Sequence, residues 1–203
     1  MPTADDIRAT AIAHGRAIKK KNALTALLCG GVPAAMLGVL FPGEVGRWVF
    51  GFLVGLLWAN GFEYAYHRWL LHLPGSFLGR RHLSHHMSVR TLTEAEHVNL
   101  GGSPLWVVLL FVLNGMPVIT LDLVFVLGVA PGMLIAFSLY FVVAEEIHWR
   151  IHMNEWLPPG LCSARRHHLA HHEYSGAARR LPLKSRSQPG MMILARVVIA
   201  SGR

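Results

Sequence analysis

The chain has 203 residues, 53% of them apolar and only 15% charged, with a mean hydropathy of +0.40. A soluble domain carries about 25% charged residues, so this balance excludes a disordered chain and an ordinary soluble enzyme and favours a membrane protein. The formal charge of +8 is accompanied by 13 histidines, more than the 11 Asp and Glu together.

In chain order, Met1 to Lys21 is polar and mixed in charge, without the cleavage pattern of a signal peptide. Ala23 to Phe41 has no charge and is long enough to cross about 30 Å of hydrocarbon. Val45 to Tyr66 carries only Arg47 and Glu63. Pro104 to Ala144 has a single charge, Asp122. At roughly twice the ~20 residues of one span, it predicts two helices joined by a turn between 115 and 131. Four spans follow, near 23–41, 45–66, 104–120 and 125–147. The apolar run 191–200 is too short to cross and is expected to lie on the membrane or pack on the protein. Cys29 stands in an apolar stretch and Cys162 in a polar one, which predicts no disulfide.

With four spans, all 19 Lys and Arg except Arg47 fall on the side of the two termini. The positive-inside rule places that side in the cytoplasm, and a bacterial inner membrane is the expected location. The basic excess is then topology and anionic headgroups, with no nucleic acid as partner. Trp69, Trp106 and Trp149 are expected at the membrane interface. The expectation is an all-α integral membrane protein: four transmembrane helices and a cytoplasmic histidine-rich helical cap, a single domain over 1–203.

All histidines but His14 fall in two cassettes, 67–97 and 148–172. The first reads His67-Arg-Trp-Leu-Leu-His72, then Arg80-Arg81-His82-Leu-Ser-His85-His86. The second reads His148-Trp-Arg-Ile-His152, then Arg165-Arg166-His167-His168-Leu-Ala-His171-His172. Each is a spaced pair followed by HxxHH, with a Leu-Pro element in each cassette (Leu73-Pro74 and Leu157-Pro158), so the chain reads as an internal repeat of two spans and a cassette. On an α-helix, positions i, i+3 and i+4 share a face, so His82, His85 and His86 form one stripe, as do His168, His171 and His172. His148 and His152 can reach one ion, whereas His67 and His72 would stand about 140° apart on an α-helix, flanking a site or serving two metals. Ten ligands exceed the shell of one ion, and two metals is the simplest reading. His14, His97 and His167 read as ordinary polar surface.

Glu63, Glu94, Glu96, Asn99, Glu145, Glu146, Glu155 and Glu173 are candidate acceptors for the far N–H of a ligating imidazole. Arg80, Arg81, Arg165 and Arg166 could meet headgroup phosphates or a polar substrate end. Imidazole alone does not choose among Zn, Cu, Fe and Ni. No Ser-His-Asp order and no Gly-rich phosphate loop competes with the histidines, so no catalytic residue is expected beyond the metal ligands.

The HRWLLH, HLSHH, HWRIH and HLAHH boxes, over residues 45–175, resemble the fatty acid hydroxylase/sterol desaturase superfamily of membrane di-iron oxygenases. Val98-Asn99, Gly132-Met133 and Leu139-Tyr140-Phe141 add a resemblance to bacterial β-carotene hydroxylases. The resemblance implies two iron ions, with zinc as a possible substitute, held by His67, His72, His82, His85, His86, His148, His152, His168, His171 and His172. It also implies O₂, a lipid substrate (a carotenoid, or a fatty-acyl or sterol-like chain), and electrons from a ferredoxin or cytochrome b5-like donor. The expected activity is lipid hydroxylation; the rival readings are a lipid desaturase of the same superfamily, a membrane zinc hydrolase or isomerase, and a metal transporter or sensor.

Overall fold

The computed structural model describes residues 1–73, 75–100 and 102–177, and the apolar run 191–200 lies outside them. Among the described residues every regular element is helical. The order is α1 (Ala4–Leu40), α2 (Val45–Ala65) continued by a π-helical turn (Tyr66–Leu71), α3 (Phe77–Ser88), α4 (Glu94–His97), α5 (Pro104–Phe125), α6 (Ala130–His152), a 3₁₀ turn (Pro159–Leu161) and α7 (Cys162–Ala177). α1, α2 with its π-helical turn, α5 and α6 are each long and apolar enough to cross a membrane.

α1 begins far earlier than the apolar stretch at 23. Thr3 Oγ1 accepts from the Asp6 N–H at 3.2 Å while Asp6 Oδ2 accepts from the Thr3 N–H at 2.9 Å. This reciprocal cap, with Asp5 and Asp6 in the first turn, satisfies the helix start and suits its dipole. Ala11, Gly15, Ile18, Asn22, Ala26, Gly30 and Ala34 then form one buried stripe at helical spacing. The polar beginning is therefore the outer face of an amphipathic start, which a search for uncharged runs passes over.

The chain divides into two compact units. One comprises Arg16–Ala59 and Leu100–Glu145. Its core joins Ala26, Val107, Phe111 and Phe137, with a second cluster of Ala34, Leu37, Ala130 and Leu134. Helices approach closely at Gly132, where a side chain would overlap the Trp48 carbonyl and come within 2.7 Å of the Phe52 nitrogen. Small residues of this kind let apolar helices pack backbone to backbone. Polar groups inside the unit are tied down: Ser138 Oγ donates to the Ala26 carbonyl at 2.7 Å, and Trp58 Nε1 to Asn114 Oδ1 at 3.2 Å. Leu57, Val49, Leu53, Leu105, Leu113 and Val124 point outward in an array of apolar surface that a water-soluble monomer does not present.

The turn between α5 and α6 covers residues 126–129, inside the expected window. Val126 takes a left-handed conformation, as does Gly128. The lone span charge explains itself here: Asp122 Oδ1 accepts the Val129 N–H at 2.7 Å, and Arg47 donates to the carbonyls of Val126 and Leu127, both at 3.3 Å. A guanidinium at a helix C-terminus opposes the negative end of the dipole.

The other unit comprises Met1–Gly15, Asn60–Asn99 and the chain from Glu146 on. Trp149 is fully buried against Ala11, Ala95 and Val98, and its Nε1 donates to Glu155 Oε1 at 3.2 Å. The expectation of an interfacial Trp149 is thus corrected: α1 begins early enough to cover it, and Glu155 satisfies its one polar atom. Ile151, Leu157 and Leu161 make a second cluster. Arg165 anchors α7 by donating to the Arg150 carbonyl at 2.9 Å, to Asn154 Oδ1 at 3.2 Å and to the Glu155 carbonyl. This guanidinium is a structural clamp and not a group held in reserve for a headgroup.

Candidate metal centre

The centre is built wholly within the second unit described, from α3, the end of α6, α7 and the π-helical turn. α3 is capped by Ser76, whose Oγ accepts the Gly79 N–H at 2.8 Å, and runs far enough to display the first HxxHH. Arg165 and the Leu157–Leu161 cluster fix α7, which displays the second.

Nine histidines gather in two groups. In each group one ring nitrogen per residue lies within 4.8 Å of every other. The first group is His85, His148, His152, His168 and His172; the second is His67, His72, His82 and His171. Each HxxHH box serves both groups. His85 crosses from the first cassette to the second cassette's group, and His171 crosses back. The remaining ligand of the sequence set, His86, lies between the groups. Its ring centroid is 4.4 Å from His82 and 4.2 Å from His172, and its Nε2 is 2.8 Å from His82 Nε2. His172 stands to His168 in the same way, also at 2.8 Å, so the repeat extends to side-chain geometry. His14 and His97 are exposed, and His167 lies outside both groups.

The expectation that His67 and His72 diverge is overturned by the π-helical turn. Its i→i+5 hydrogen bonds widen the helix by one residue, so positions five apart return to the same face. The two rings stand 5.2 Å apart and join the same group.

The donor atoms fit a cation. His168 Nε2 lies 2.8 Å from His152 Nε2, 2.8 Å from His172 Nε2 and 3.1 Å from His148 Nε2. One ring nitrogen offers either one hydrogen or one lone pair, so three such contacts cannot all be hydrogen bonds. Imidazole nitrogens held about 2.0–2.1 Å from a single ion lie roughly 3 Å from one another, which is this spacing. In the second group His67 Nε2 and His171 Nε2 are 3.2 Å apart. His85 buries a ring nitrogen without a hydrogen bond at ordinary distance, a cost of about 1–3 kcal/mol that an ion bound to that nitrogen would remove.

Electrostatics keep the lone pairs available. Burial first, then the neighbouring His152 and His86, holds His85 well below the ordinary imidazole range. Burial and the adjacent histidines depress His82, His168 and His172 as well. Burial, then His171, lowers His86 to about 3; burial, then His72, lowers His171 to about 4. These rings are neutral at pH 7, the form that ligates.

One carboxylate braces the first group. His152 Nδ1 donates to Glu94 Oε1 at 2.8 Å, and Glu94 Oε2 accepts the Arg90 N–H at 2.7 Å, with Arg90 in a left-handed conformation. Holding the proton on Nδ1 leaves Nε2 of His152 to face the group. Four of the other candidate acceptors have partners of their own. Glu145 accepts from the Leu100 N–H, Glu146 pairs with Arg150, Glu155 holds Trp149, and Asn99 donates to the Gly15 carbonyl. The Glu173 side chain lies outside the described residues.

Comparison of the chain with protein-family models, with curated proteins and with solved structures finds no match in any of the three.

Proposed function

We propose that this protein is an integral-membrane di-iron oxygenase that hydroxylates a lipid chain, drawing electrons from a ferredoxin or a cytochrome b5-like donor. The observation that carries the reading is the pair of imidazole groups, five and four residues strong, built from two matched cassettes in a chain with four span-length apolar helices. The resemblance of the four histidine boxes to the fatty acid hydroxylase/sterol desaturase superfamily supplies the choice of iron. The distribution of Lys and Arg supports placing the termini and both groups in the cytoplasm.

Two irons would supply O₂ activation strong enough to break an unactivated C–H bond. The chain's own residues supply the rest. His85, His148, His152, His168 and His172 would hold one ion, and His67, His72, His82 and His171 the other, with His86 between them. Glu94 fixes the His152 tautomer. Burial of the first group excludes water that would compete with the ligands. Long apolar helices suit an enzyme whose substrate is dissolved in lipid.

The test is lipid profiling of a host that makes carotenoids, with the wild-type protein and with His171→Ala. The reading expects hydroxylated lipid, dependent on O₂ and reductant, from the wild type and none from the variant, with membrane insertion unchanged. A new double bond in the same lipid would make the enzyme a desaturase. Turnover without O₂ or reductant, by a zinc-loaded protein, would overturn the oxygenase reading in favour of a hydrolase or isomerase.

A further inference from the structure

The two histidine groups meet their surroundings differently. In the first, His85, His152, His168 and His172 are 3–8% exposed, only His148 is half-buried, and Glu94 braces the group. In the second, His72 is exposed and His67, His82 and His171 are only half-buried. A cleft of about 210 Å³ opens beside this second group, lined by His72, His82 and His86 together with Leu73, Leu83 and Arg80.

The chain beside the cleft is tightly turned. Gly75 has φ of +77°, a conformation that disfavours a side chain, and a methyl at Gly79 would meet the Leu73 carbonyl and stand 2.8 Å from Ser76 Oγ. Arg80 donates from Nη1 to the Gly75 carbonyl at 2.7 Å, which fixes its guanidinium at the cleft. The volume is below the roughly 300–1,000 Å³ of clefts that take drug-sized ligands and suits a molecule of a few heavy atoms. The wall is leucine, and the charge present is positive: Arg80, joined by an ion when the second group is loaded.

We propose that this cleft is the binding site of a small monoanion, two or three heavy atoms long, which reaches the ion of the second group and not that of the first. The inference rests on the reading of both groups as metal sites. It assigns them unequal tasks. The first is a closed shell of protein ligands, and the second is the position at which a small molecule from outside exchanges.

The test uses the full-length protein in detergent, loaded with Co²⁺, whose visible bands report each ion's shell. Azide is the probe. The proposal expects azide to shift the bands of one of two bound cobalt ions, saturably. Leu83→Trp and Leu73→Trp, which fill the cleft from two sides, should each retain two cobalt ions and raise the azide Kd at least tenfold. Azide binding unchanged in both variants, or shifting the bands of both ions alike, would overturn the cleft while leaving the metal sites standing. A wild-type protein that binds no cobalt would overturn both readings together.

Discussion

At the scale of single residues, the account turns on which nitrogen of each imidazole is free. Glu94 decides this for His152 by accepting its Nδ1 proton at 2.8 Å. Removing an acceptor behind a ligating histidine costs about 10–100-fold in metal affinity. Glu94→Ala should therefore weaken one of the two ions by that factor and leave the other unchanged, as read by titration with a competing chelator; affinities unchanged at both sites would remove Glu94 from this role. The protonation state carries a second prediction. His86 and His171 are lowered from 6.5 to about 3 and about 4, so the folded protein keeps them neutral where an unfolded chain would take up protons. Stability from these groups is complete above about pH 6.5 and falls as the pH drops towards 4. The metal-free protein should lose thermal stability steadily as the pH falls from about 6.5 towards 4, and the loaded protein should keep its ions to lower pH, because in the folded state protons compete for these rings only near pH 3–4. A Tm independent of pH there would contradict neutral, buried rings.

At the scale of elements, the π-helical turn Tyr66–Leu71 reconciles two spacings. HRWLLH has one residue more than HWRIH, yet both pairs end on one face of their helix. A π turn is an α-helix with one residue inserted, so deleting the exposed Leu70 should restore α geometry and keep His67 and His72 together. The deletion is expected to retain two ions by elemental analysis, whereas inserting one alanine after Leu70 should lose the second. The reverse pattern would mean that the turn does not set the ligand spacing. The same element marks a limit of sequence reading. α-helical periodicity grouped the residues of each HxxHH box by stripe, but it could not express a widened turn, and it gave no sign that His85 and His171 would exchange groups. That exchange depends on how α3 and α7 pack, which one strand of periodicity does not carry. The start of α1 and the burial of Trp149 were hidden for a related reason: both follow from a face of small residues, Ala11 and Gly15, rather than from any apolar run.

At the scale of the whole molecule, the four long apolar helices and the ten clustered histidines were legible from composition and spacing alone. Uncharged runs of ~20 residues and paired HxxHH boxes are signals that few other folds produce. Apolar helices and a distinct histidine-rich part were expected from the sequence, but not that the boundary between the two compact units falls inside α1, α2 and α6. The central claim is that the histidine unit holds two ions at two all-imidazole sites. Elemental analysis of the purified full-length protein, combined with X-ray absorption at the metal edge, tests it most directly. The account predicts two ions per chain, both iron, with nitrogen neighbours near 2.0–2.2 Å in shells dominated by imidazole. A single ion per chain, or a shell made mainly of carboxylate oxygen, would contradict it.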